Sequence, residues 1–354
     1  MKWNQVFRST ASARCFLAAV LGCFLPVCTG AAFAANSSLQ VYFVDVDGGQ
    51  STLFVTPTGQ SLLIDTGWPK QDGLDAGRIA AAAKDAGVSK IDYVLLTHYH
   101  ADHTGGVPEL VKRIPVGTFI DHGPNREPTD GPTEEVYEAY QKVLASGHYG
   151  HIVAKPGEVL PITGMKVLAI TADGQSIARA LPGGGQPNAY CKTSEIRPPD
   201  PTENPRSLGV LITFGKLKIL DLGDLTWDKE RQLMCPLNKL GKVDVLVVSH
   251  HGLFQSSSPA LVDAVQPRVA IMNNGANKGG STPTFETLAK TPGLETLWQL
   301  HFSNAADTHN TPAEYIANPT GPDAANYLKL TASPSGSFAI LNSRTGATKD
   351  YAAR

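Results

Sequence analysis

One run of ten residues constrains this chain more than any other: Thr97-His98-Tyr99-His100-Ala101-Asp102-His103-Thr104-Gly105-Gly106. Three imidazoles and a carboxylate fall within six positions, directly after the apolar run Ile91–Leu96. Neutral imidazole and carboxylate are the ligands that Zn2+ and its neighbours prefer. Along an extended strand, positions i and i+2 share a face, so His98 and His100 project together where that run ends. Asp102 and His103 lie past it, where a turn into a helix re-aims them toward a second ion. A fold that accommodates this run ends a buried strand at a metal centre.

Two downstream runs end the same way. Ile219-Leu220-Asp221-Leu222-Gly223-Asp224 closes on a carboxylate, and Val245-Leu246-Val247-Val248-Ser249-His250-His251-Gly252 closes on imidazoles. Ligand sites in α/β sheets gather outside the carboxyl ends of the strands, so three such ends predict one converged site. Around them, Leu39–Val46, Ser51–Val55 and Ser61–Ile64 read as a β-meander, with Pro57-Thr58-Gly59-Gln60 as its second turn. Asp72–Ala86 has helical spacing and stops at Gly87, and Gly106–Arg113 and Thr133–Ala145 read as further helices. Strands follow near His151–Ala154, Met165–Thr171, Leu208–Phe214 and Leu217–Leu220, and a last hairpin pairs Ala325–Thr331 with Ser337–Asn342. Residues 172–206, rich in Gly, Pro and Asn, form a long loop of the kind that is functional or mobile. Two β-rich halves with interspersed helices imply a layered α/β sandwich.

Composition narrows the function classes. Of 354 residues, 42% are hydrophobic, and 30 Lys+Arg stand against 32 Asp+Glu, which excludes a disordered chain, a collagen-like chain and a polybasic nucleic-acid tail. Residues 1–35 read as a secretory signal peptide, with Lys2, Arg8 and Arg14 ahead of the apolar run Cys15–Val27 and small residues at Ala32-Phe33-Ala34. The rest, 36–354, is expected as one hydrolase domain with a C-terminal extension, periplasmic or secreted, without stable membrane association. Cleavage removes three positive charges and no acidic ones, moving the net charge from −2 to −5. It also leaves two cysteines, Cys191 and Cys235, a reasonable disulfide pair in an oxidising compartment.

The motif His98-x-His100-x-Asp102-His103 resembles the signature of the metallo-β-lactamase superfamily, over roughly residues 39–275. The resemblance implies an αββα sandwich in a single domain. It also implies a metal-bridging role for Asp224, a last His ligand within His250-His251, and support of the site from behind by Asp65. Within the superfamily the chain is most similar to the hydrolase domain of ComEC-like competence proteins. The likeness rests on Asp45-Val46-Asp47-Gly48-Gly49-Gln50-Ser51, on the Gly223-Asp224 strand end, and on His-His-Gly followed by Ser256-Ser257-Ser258. Asp47 is displaced by the glycine pair, so no role is assigned to it. The superfamily's third-motif His is replaced by Glu203-Asn204-Pro205-Arg206-Ser207, which leaves the His98/His100 ion to be completed by Glu203, Asn204 or water.

These readings predict two divalent ions, Zn2+ or, in a nitrogen-poor site, Mn2+. The ligands are His98, His100, Asp102, His103, Asp224 and His250. His250 is preferred over His251 because neighbouring side chains on a strand face opposite ways, which leaves His251, with Asp102, as catalytic groups. Two ions 3.5–4 Å apart activate a shared, bridging hydroxide for metal-assisted hydrolysis. Small-molecule or nucleic-acid phosphodiesters are the expected substrates, ahead of lactones or β-lactams and ahead of a non-catalytic metal- or partner-binding module. His122 and His301 are candidates for flanking the site, His148 and His151 are read as structural, and His309 carries no role.

Overall fold

Strand alternation explains the layers. The computed structural model describes residues 37–70, 72–306, 309–319 and 325–354, and the expected signal peptide lies outside them. In Leu39–Phe43, Val41 and Phe43 face one core while Tyr42 faces another. In Ser61–Ile64, Leu62 and Ile64 likewise oppose Leu63, and in Val245–Val247 the outer two oppose Leu246. Each strand is therefore apolar on both faces, as a sheet covered on both sides requires.

Two nine-stranded sheets result among the described residues. The first begins as the predicted meander, Leu39–Phe43, Thr52–Val55 and Ser61–Ile64, then continues in parallel through Ile91–Leu95, Val116–Asp121 and Gly150–Val153. The second runs from Ile316–Asn318 through Thr296–His301, Val269–Met272, Val245–Val247, Leu217–Asp221 and Gly209–Phe214 to Lys166–Ala172 and Val159–Leu160, with the two-residue Gln175–Ser176 on its flank. One core fills the space between the sheets. A second packs Leu220, Leu246 and Ala270 against helices Trp227–Met234, Pro259–Val265 and Thr282–Lys290. A third packs Tyr42, Leu53 and Leu63 against helices Leu74–Asp85, Val107–Leu110 and Gly131–Ala145. Three cores between four layers make an αββα sandwich.

Residues expected as a C-terminal extension are integral to the first sheet. Leu328–Ala332 lies antiparallel against Leu39–Phe43, with Ala332 opposite Leu39, and Phe338–Asn342 and Thr348–Tyr351 follow. The last strand, Thr-Lys-Asp-Tyr, carries no apolar alternation because it is an edge strand with one buried residue. No helix among the described residues is long and apolar enough to cross a membrane.

The long loop is tied down rather than loose. Cys191 and Cys235 are bonded, with Cα atoms 5.9 Å apart, which fastens the turn Ala189–Lys192 to the end of helix Trp227–Met234. Arg231 Nη1 on that helix donates to Cys191 O at 3.0 Å. Closing a loop of this length is worth about 4 kcal/mol in the chain-entropy model. Thiol labelling of the denatured, unreduced protein, in a chain starting at Asn36, should find no free thiol. The double replacement Cys191→Ala/Cys235→Ala should lower unfolding stability by that same order.

Candidate metal centre

Four strand ends meet at one rim of the sandwich. Ser61–Ile64 and Ile91–Leu95 are parallel neighbours in the first sheet, and Leu217–Asp221 and Val245–Val247 are parallel neighbours in the second. The seam between the sheets is closed by Leu208 N to Thr97 O (2.7 Å), Gln50 N to Asp102 O (3.0 Å) and Gln50 Nε2 to Asp221 Oδ2 (3.1 Å). His98, Asp102, His103, Asp224, His250 and His251 all reach the rim and are all buried.

Asp102, His103, Asp224 and His251 form one compact group, their ligand atoms within 4.8 Å of one another. His103 Nε2 lies 3.1 Å from His251 Nε2, 3.3 Å from Asp102 Oδ2 and 3.2 Å from Asp224 Oδ2. His251 Nε2 lies 2.9 Å from Asp102 Oδ2 and 3.6 Å from Asp224 Oδ2. A tetrahedron with metal–ligand bonds of about 2.0–2.1 Å has edges of about 3.3 Å, so these five separations fit such a site. The ring protons fit as well. His103 Nδ1 is 2.7 Å from the Asp65 carboxylate and His251 Nδ1 is 3.2 Å from Asn273 O, both pure acceptors. Each Nδ1 therefore carries a proton, and the two Nε2 atoms face each other beside two carboxylates, an arrangement that calls for a cation between them, a proton or a metal ion.

A second group shares the Asp224 carboxylate. Its Oδ2 lies 3.9 Å from His98 Nε2 and 3.4 Å from His250 Nε2, and His98 Nε2 is 3.1 Å from His100 Nδ1. The far nitrogens are again occupied. Thr97 Oγ1 donates to Asp65 Oδ2 (2.7 Å) and so accepts from His98 Nδ1 (3.1 Å). Glu127 Oε2 takes His100 Nε2 at 3.1 Å, and Ser256 Oγ stands 3.3 Å from His250 Nδ1. All five histidines thus turn one nitrogen to a protein partner and the other toward Asp224, Asp102 or each other.

The electrostatics follow from this crowding. Burial alone would raise Asp102 and Asp224, yet His103 and the neighbouring imidazoles hold both well below the ordinary carboxylate range. His103 is pushed well above its ordinary value, because Asp224, Asp102 and Asp65 outweigh the opposing effect of burial. Desolvation lowers His98, with His103 and His100 adding to it, and lowers His250 to about 4. Lys278 Nζ bonds Asp102 Oδ2 at the mouth and sits 4.6 Å over the Trp68 ring.

The expected preference for His250 over His251 is not what the group around His103 shows: His251 faces His103 and Asp102, and His250 faces Asp224 from the other side. The extended geometry behind that preference ends at Val247. His250 and His251 both adopt left-handed backbone, φ 57° and 54°, so successive side chains no longer alternate. Such residues cost about 1–2 kcal/mol each and persist where surrounding structure enforces them. Asp65, at φ 60°, ends its strand in the same way and so reaches both Thr97 and His103.

Other expected groups lie elsewhere. Glu203 is buried but faces His122 Nε2 (3.0 Å) and Arg126 N (2.6 Å), so the replacement of the third-motif His does not run through its carboxylate. His301 Nε2 bonds Asp45 Oδ1 (2.7 Å), Arg78 Nη1 bonds Asp45 Oδ2 (3.0 Å), and His151 bonds Asp121 (2.8 Å). His148 and His309 are exposed, and Asp47 donates its backbone N–H to Asp45 Oδ1, which caps the turn. Glu127 and Lys278 were not foreseen, because neither sits in a motif or at a strand end.

Residues 45–175 match the family model of the metallo-β-lactamase superfamily. Over those residues, well under half of the chain, the sequence is similar to that superfamily. It is 25% identical over 260 residues to ComE operon protein 3 of Bacillus subtilis, covering 68% of this chain and 29% of that protein. It is 27% identical over 238 residues to recombination protein 2 of Haemophilus influenzae, covering 67% and 24%. Hydroxyacylglutathione hydrolase of Stenotrophomonas maltophilia is 36% identical over 105 residues, covering 30% and 37%. The chain thus spans well under half the length of the curated relatives it matches. The family match agrees with the expected metal-dependent hydrolase, and the two longer relatives agree with the ComEC-like resemblance.

Asp65 tests the site from behind. Asp65→Asn keeps the shape but removes a charged acceptor from His103 Nδ1. Affinity for Zn2+ in chelator competition should fall about 10–100-fold while the fold is retained. Unchanged affinity would show that another group orients His103.

Proposed function

We propose that this domain is an exported, dinuclear metal-dependent hydrolase of phosphodiesters, either nucleic acid or nucleotide. The observation that carries the reading is Asp224 Oδ2 standing within 3.9 Å of four imidazole Nε2 atoms that belong to two separate ligand groups. Asp102, His103 and His251 would hold one ion, His98, His100 and His250 the other, and Asp224 both. His250 then takes the place of the missing third-motif His. With five imidazoles and two carboxylates the set is rich in nitrogen, which favours Zn2+ over Mn2+.

Ions held there supply Lewis acidity and an activated water to an ester or phosphodiester centre. The chain's own residues do the rest. Buried carboxylates and tautomer-locked imidazoles hold the ligand geometry before substrate arrives, so little reorganisation is needed. Once Asp102 is engaged, Lys278 stands at the mouth as a cation for an anionic substrate. The resemblance to ComEC-like domains, extending over two thirds of the chain, supports phosphodiesters. The Cys191–Cys235 bond supports an oxidising compartment.

Metal analysis with a panel of chromogenic phosphodiesters, lactones and β-lactams tests this reading. The protein should take up two equivalents of divalent metal and turn over the phosphodiesters best. Asp224→Asn should cut turnover about a thousandfold, a loss of about 4 kcal/mol of transition-state stabilisation. His250→Ala and His251→Ala should each lose one equivalent, and only His251→Ala should strip the ion shared with Asp102. A folded protein that binds no divalent ion would sink the proposal.

A further inference from the structure

Beside the metal centre a cleft of about 410 Å³ opens between three loops. Two of them continue directly from metal-centre residues: Thr226 and Trp227 follow Asp224, and Phe254 and Gln255 follow His250-His251. Hydrogen bonds make the cleft wall and the centre one unit. Trp227 N donates to Gln255 O (3.1 Å) and Trp227 Nε1 to Ser256 O (2.9 Å). Ser256 Oγ in turn contacts His250 Nδ1 (3.3 Å) and Asp224 O (3.4 Å). The third loop carries Arg197 and three prolines, Pro198, Pro199 and Pro201.

The chemistry of this cleft is specific. The Arg197 guanidinium lies 3.5 Å over the Trp227 ring and 5.6 Å from that of Phe254, an otherwise unexplained aromatic that is 48% exposed. Among the described residues lining the cleft, Arg197 is the one cation, and its donors are engaged, Nη1 by Phe254 O and Nε and Nη2 by Glu195 Oε2 at 3.2 Å. Glu195, Asp200 and Asp228 leave the lining net acidic, which opposes a second phosphate and suits an uncharged group with N–H donors on its edge. Flat guanidinium and aromatic faces between proline walls suit a planar ring. The volume falls within the range of small-molecule sites. The walls are also set in advance. The Cys191–Cys235 bond anchors the loop on one side of Arg197, and Thr202 N and Oγ1 donate to Asp200 Oδ1 on the other, at 2.8 and 2.6 Å.

We infer that this cleft is a nucleobase subsite, which seats the base of a nucleotide ester while its phosphodiester lies at the metal centre. The inference rests on the phosphodiester reading and narrows it to substrates carrying a base next to the cleaved bond.

Two measurements separate the inference from the reading beneath it. The first compares kcat/KM for a nucleoside p-nitrophenyl phosphodiester with that for methyl p-nitrophenyl phosphate, which has no base. The wild-type preference for the nucleoside ester should fall about tenfold in Phe254→Ala and in Arg197→Ala, in keeping with the stacking of one base. A preference unchanged in both variants would overturn the subsite. The second titrates adenosine into the protein and follows tryptophan fluorescence. Saturable quenching in the wild type that is lost in Phe254→Ala supports the subsite without any turnover, and no saturable response overturns it. If neither ester is hydrolysed, the phosphodiester reading fails and adenosine binding alone decides the subsite.

Discussion

A carboxylate exposed by only 2% and surrounded by imidazole nitrogens sets the terms for the rest of the molecule. Asp224 is ionised in a place that water barely reaches, and Asp102 stands beside it at 6% exposure. Isolated buried charges are expensive and survive only when paired. Positive charge must therefore be available at this point, as a proton on His103 or as metal ions. The closed seam, the left-handed backbone at His250 and His251, and the acceptors behind each ring all serve that condition. Without Asp65, Glu127 and Ser256 the rings would be free to turn, and the cluster would lose its single arrangement.

The division of labour between the sheets follows from strand direction. The first sheet supplies the His98–His103 run and the second supplies Asp224, His250 and His251, so neither half of the fold holds the complete set. Gln50 joins the halves directly: its backbone N–H reaches Asp102 O, its amide N–H reaches Asp221, and its amide oxygen accepts from Asn273 Nδ2 at 2.8 Å. A residue with no metal-binding chemistry of its own thus links both ligand sets. Asp221 beside it is raised to about 7 by desolvation, so its own carboxyl carries only part of a negative charge at neutral pH.

Much of this was legible in the sequence because apolar runs ending in His or Asp state both a strand and its functional end. Ile91–Leu96, Leu217–Leu220 and Val245–Val248 needed only their mostly apolar character to place them. The directions of the His250-His251 pair were not legible for a physical reason: both residues adopt left-handed backbone, a conformation ordinarily disfavoured for histidine, where extended alternation was expected. Glu127 and Lys278 were invisible because tertiary approach alone brings them to His100 and Asp102. Thr348–Tyr351 escaped because an edge strand with one buried side chain has no alternation to read.

The pairing of Leu39 with Ala332 has a consequence in time rather than in space. Leu39–Phe43 is a central strand of the finished sheet, yet one of its two neighbours, Leu328–Ala332, is made nearly three hundred residues later. Until that segment arrives, one side of Leu39–Phe43 is an open, largely apolar edge of the kind that templates association between chains. Contacts so distant along the chain also form slowly. The interval between synthesis and completion of the first sheet is therefore the period in which this molecule is most exposed to aggregation, and any factor that binds an unpaired apolar strand acts on it then.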